Sequence, residues 1–179
     1  WMAMLNNFVI ERASFTGIEI GILQSLREIP GFLAFTAIYV LLLIKEQRLA
    51  LLSLGLTSLG VAATGFFPSV VGLYLTTVIM SVGFHYFETV NQSLTLQWIK
   101  KENTAHFLGR ALSVKSIASL LAFGSIWILM EQFAWGYKAT YLLFGGIALV
   151  FTIALAISFP SFVAPVEQSR RLILRKRYL

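Results

Sequence analysis

Apolar residues fall along this chain in long runs rather than in alternation, and those runs define the expected elements. Residues 18–44 form one such segment, interrupted by Arg27, Glu28 and Pro30 and closed by the charged turn Lys45-Glu46-Gln47-Arg48. Residues 49–67 carry no charge and stop at Phe66-Phe67-Pro68-Ser69. Residues 70–98 hold His85 and Glu88 near their middle and end at Trp98, just before Lys100, Lys101 and Glu102. A further run, 105–130, contains Lys115, and 139–159 is an uncharged run ending at Pro160. Each reaches the roughly 20 residues needed to cross about 30 Å of hydrocarbon. The pattern predicts five spanning helices, with residues 1–11 as the outer end of a truncated first helix. That first stretch is too short to span, and WMAMLNN has neither the basic region nor the cleavage site of a signal peptide.

Composition names the solvent. The chain is 58% hydrophobic and 12% charged, with mean hydropathy +0.79. A soluble domain is about 45–50% apolar and about 25% charged. A fold of 179 residues has too little interior to hide that apolar surface from water. Lipid is the expected surroundings.

Charge then orients the chain. Lys45, Arg48, Lys100, Lys101, Arg110, Arg170, Arg171, Arg175, Lys176 and Arg177 lie in the connections after the second and fourth spans and in the tail, against only Arg12 and Lys138 on the other side. Excess Lys and Arg mark cytoplasmic loops, so the tail is expected in the cytoplasm of a multi-pass inner-membrane protein. The net charge of +6 is spread over these short loops, and no basic surface interleaved with aromatics points to nucleic acid. Cysteine is absent, which excludes disulfides, thiolate nucleophiles and cysteine metal sites from this sequence.

Phe67-Pro68-Ser69 closes the third span and Phe159-Pro160-Ser161 the sixth, so each would end a three-helix unit. Inverted 3+3 repeats build many transporter halves. Proline also ends helices for backbone reasons alone. The division expected is a transmembrane part over 1–162 and a basic cytoplasmic connector over 163–179.

Charges within the spans are the candidate chemistry, because each costs at least about 2.5 kcal/mol to insert at the bilayer centre. Arg27, Glu28, His85, Glu88 and Lys115 all fall within roughly 8 Å of the middle of their spans at 1.5 Å per residue. Ser81, His85, Glu88, Gln92 and Thr95 recur at three- and four-residue steps, which places them on one stripe of the 70–98 helix. Arg27 and Glu28 are adjacent and about 100° apart, so Arg27 is expected to find its partner elsewhere. The site expected is an aqueous cavity in which Glu28 and Glu88 balance Arg27 and Lys115, with His85 and Gln92 as hydrogen-bonding neighbours. Buried ion pairs that only join helices are the alternative. Asn6, Asn7 and Glu11 extend the polar theme to the first helix, where end capping explains them equally well.

His85 and Glu88 have the spacing H-x-x-E, which could offer two metal ligands from one face. A catalytic site needs three, and His106 lies in the loop after the fourth span. Phosphate-binding loops, nucleophile elbows and H-E-x-x-H are absent from the sequence. No catalytic residue, metal or cofactor is assigned.

Six spans with cytoplasmic ends and a basic connector resemble the amino-terminal half of a major facilitator superfamily transporter, in a divergent branch with a truncated first helix. That family lines its central path with the first, second, fourth and fifth helices, and here charges fall on the second, fourth and fifth. Of the family's signature between helices two and three, LLLIKEQRLAL keeps only Lys45, Glu46 and Arg48, and FLGRALSVKSIASLLAFG looks like the four-to-five connection. The resemblance implies an all-α, polytopic bundle of about six spans, half of a twelve-helix transporter, and secondary transport of a small solute by alternating access. Its partners would be the bilayer, the solute and the missing carboxy-terminal half. Proton coupling is a further expectation. A non-transporting scaffold or sensor is the rival reading, and an intramembrane metal enzyme using His85 and Glu88 a more distant one.

Overall fold

The computed structural model describes residues 2–160. Among them the chain is all-helical, without a strand. α1 (Met2–Ala13) turns at Ser14 into α2 (Gly17–Phe32), which Thr16 caps by accepting from the Ile18 N–H while Glu19 returns to the Thr16 N–H. This reciprocal capping box fixes where the helix begins.

The expected single span over 18–44 is broken. After α2 comes a 3-10 turn, Ala34–Thr36, and a short α3, Ala37–Leu41. α2 runs past Pro30 to Phe32, and at the break the Thr36 hydroxyl donates to the Leu33 carbonyl at 2.6 Å, which favours a tighter turn there.

The later helices follow the apolar runs closely. α4 is Glu46–Thr64, α5 is Val70–Trp98 and α7 is Tyr137–Ser158. α6 begins at Lys101, earlier than the run at 105, and continues through a π-helical turn, Ile128–Gln132, to a 32-residue rod. α5, this rod and α7 are each long and apolar enough to cross a membrane. The predicted repeat cannot be followed to its end, because Ser161 and the basic tail, including Arg170, Arg171, Arg175, Lys176 and Arg177, lie outside the described residues.

α4 is the hub, packed against α5 on one side and α7 on the other, while α2 lies on α5. Small residues permit this approach. A Cβ added at Gly83 of α5 would lie 2.6 Å from the Ser53 carbonyl oxygen of α4, and one at Gly145 of α7 would lie 2.6 Å from Ala62 Cα. Helices associating in lipid gain from such backbone contact because no hydrophobic force pulls them together. Of the glycines in α4, Gly60 meets Met80 and Gly55 meets nothing.

Two apolar clusters result. One joins α1, α2, α4, α5 and α7 through Leu5, Phe8, Leu23, Val61, Met80 and Tyr141; the other joins α3, α4 and α5 through Ala37, Leu49, Ala50, Val90 and Leu94. Along α5 the gap between Met80 and Val90 holds Ser81, His85 and Glu88. α6 has no buried residue along its helical length, and its far end meets the first cluster through the partly buried Ile126 and Met130.

Candidate functional site

The polar level between the two clusters is assembled mainly by α2 and α5. Ser81 donates its hydroxyl to the Arg27 carbonyl, a bond that crosses from α5 to α2. One turn further along α5 the His85 ring lies against Gly31, where an added Cβ would come within 2.8 Å of the imidazole, and edge-on to Phe84 at 5.2 Å between centroids. At the next residue of α5, the Tyr86 hydroxyl meets that of Thr36, in the 3-10 turn after α2, at 2.7 Å. α2 and the 3-10 turn that follows it are therefore joined to α5 by polar and ring contacts at Ser81, His85 and Tyr86.

The two charged pairs differ from expectation in one respect. Arg27 pairs with its neighbour Glu28, Nε and Nη2 both donating to Oε1 at 2.9 and 2.7 Å. Adjacent Cβ atoms diverge, but both side chains are long enough to fold back along the helix surface, so separation at Cβ does not set separation at the charged ends. Glu88 and Lys115 do meet, Nζ to Oε1 at 3.6 Å, bridging α5 to α6.

None of these charges is sealed. The Glu28 side chain is 63% exposed, Glu88 48% and Lys115 66%, while Arg27 at 22% is the most covered. Gln92 is exposed next to them. The stripe on α5 divides: Ser81 is buried against α2 and Thr95 turns inward to donate to the Asn91 carbonyl, whereas Glu88 and Gln92 open outward. Of the six candidate residues, the structure joins Arg27 to Glu28 on α2 and Glu88 to Lys115 across α5 and α6, while His85 packs on Gly31 and Gln92 is exposed on α5. No group of three or more His, Cys, Asp or Glu side chains among the described residues is arranged to hold a metal ion, and His106 lies on α6 rather than in a loop.

No family model, curated protein or solved structure matches this chain. What it does rests on its own geometry.

One polar cluster was not anticipated. At the opposite end of α4 the Glu46 carboxylate accepts from Ser93 at 3.0 Å and from Gln97 Nε2 at 2.7 Å, and Gln97 also donates to Ser93. It ties the start of α4 to the end of α5. The signal in the sequence was the pair Ser93 and Gln97 four residues apart, which share one face of the helix. Asn6 of α1 likewise accepts from Gln24 of α2 at 3.1 Å, giving this part of the early polar residues a cross-helix role instead of a cap.

Proposed function

We propose that this chain is the membrane-embedded half of a secondary transporter, moving a small solute by alternating access, with Arg27, Glu28, His85, Glu88, Gln92 and Lys115 lining the water-filled route. In this reading α1, α2 with α3, and α4 to α7 are six inner-membrane spans in a 3+3 arrangement, the basic tail lies in the cytoplasm, and a second half of similar kind completes the path. The resemblance to the major facilitator superfamily supports the architecture.

The observation that carries the reading is the Glu88–Lys115 pair. Lys115 is close to the midpoint of the 32-residue α6 rod, and Glu88 is about 6 Å along the axis from the midpoint of α5. Both helices have the length and apolarity of a membrane crossing, yet both charged ends are open to their surroundings. Charges at such depth persist where they meet water or a partner, not lipid tails. Lining an aqueous cavity meets that requirement.

A scaffold is the second reading, favoured by the way His85 and Ser81 serve the α2–α5 seam. The absence of native cysteine allows a direct test. Single cysteines at Glu88, Gln92 and Lys115 should react with a membrane-impermeant thiol reagent, while cysteines at Leu120 and Ile157 should not. Uptake screening of proteoliposomes with and without a proton gradient then separates transport from scaffolding. Inert cysteines at all three polar positions would end the cavity reading.

A further inference from the structure

We infer that the corner between the end of α5 and the first four turns of α6 is a binding site for the phosphate headgroup of an anionic phospholipid. A groove of about 1050 Å³ opens there, with Trp98, Lys100, Asn103, His106, Arg110 and Lys115 in its lining. Its polar lining is cationic or neutral, without a carboxylate among the lining residues. Lys100 and Arg110 take part in no ion pair among the described residues.

Depth decides the class of ligand. The α6 rod has 32 residues, about 48 Å at 1.5 Å per residue, against roughly 30 Å of hydrocarbon, so a centred rod extends about 9 Å beyond each boundary. Lys100, Asn103 and His106 then stand at headgroup level, and Arg110, about 5 Å below the boundary, can extend its guanidinium back up to them. Phe107 lines the groove at the boundary and Ala111 and Val114 below it, while Lys115 at the deep end has its charge paired with Glu88. A ligand that is anionic at one end and apolar at the other matches this gradient. Basic pockets on the cytoplasmic side of helical membrane proteins suit such headgroups, and Trp98 is a residue type favoured at that interface. The chain's own tail is a poor rival occupant, since Arg170, Arg171, Arg175, Lys176 and Arg177 carry the same sign of charge as the groove.

The inference does not depend on transport, and its test reads binding alone. The full chain is purified in neutral detergent, and native mass spectrometry follows retention of phosphatidylglycerol against phosphatidylcholine of the same acyl chains. The wild type should retain phosphatidylglycerol preferentially, and Lys100→Ala with Arg110→Ala should weaken that retention about thirtyfold, as loss of two basic groups near a membrane surface implies. Lys45→Ala with Arg48→Ala, on the same side but outside the groove, should leave it unchanged. Should the first variant misfold by circular dichroism, Ala111→Trp fills the groove without altering charge and should also abolish the preference. Equal retention of the two lipids, equal loss in the control variant, unaltered retention in Ala111→Trp, or displacement of the lipid by inorganic phosphate would each overturn the assignment.

Discussion

Lys115 of α6 reaches Glu88 of α5 at 3.6 Å, the only ion pair between helices among the described residues. With both side chains open to their surroundings, the pair joins the middle of the α6 rod to α5 without being sealed inside the bundle. If water reaches this level, their coupling should be that of an exposed pair, below about 1 kcal/mol in a double-mutant cycle on detergent unfolding. A coupling of several kcal/mol would mean that the pair is dry.

Glu88→Gln removes the negative charge while keeping the side chain's shape. Membrane insertion and helix content should be unchanged, because Glu88 touches neither apolar cluster. On the proposed transport reading uptake should be lost, and normal uptake in this variant would remove Glu88 from the proposed pathway.

Gly145 and Gly146 are neighbours with opposite outcomes expected. Alanine at 145 must push α7 off the Ala62 backbone of α4 and should destabilise by about 1–3 kcal/mol. Alanine at 146 meets nothing and should be neutral or stabilising by up to about 1 kcal/mol, since glycine is costly inside a helix. Thermal unfolding in detergent compares the two directly.

Gly31→Ala places a methyl group against the His85 ring, the end of a side chain that can swing away. A cost near 1 kcal/mol is expected, largely relieved when His85→Ala is added, because the clash then has no partner. Additive losses would show that α2 and α5 do not meet through this contact.

Ala134, at the corner between α6 and α7, has φ 52° in the left-handed region. Glycine adopts this conformation without the Cβ conflict, so Ala134→Gly should raise stability by roughly 1 kcal/mol. A fall in melting temperature would count against the corner's geometry.

Much of the helical framework was legible in the residues. The run 70–98 coincides with α5, and 139–159 differs from α7 by no more than two residues, because Pro68-Ser69 and Pro160 end helices for reasons internal to the backbone. The span 18–44 was less legible: Pro30 was visible, but the hydroxyl contact of Thr36 that shapes the break depends on coordinates. For the candidate site, sequence depth brought Glu88 and Lys115 to one level, and the structure set them in contact. It also paired Arg27 with Glu28, against the separation expected from helical phase.

The sequence alone determined that this chain is helical and where most of its helices begin and end, because both depend on run length and local backbone chemistry. Tertiary structure decided which residues meet. Helices that are apolar on nearly every face encode little about which side turns to which neighbour, so the seating of His85 on Gly31 and the tie from Glu46 to Ser93 and Gln97 arise from how small residues let rods approach and rotate against one another.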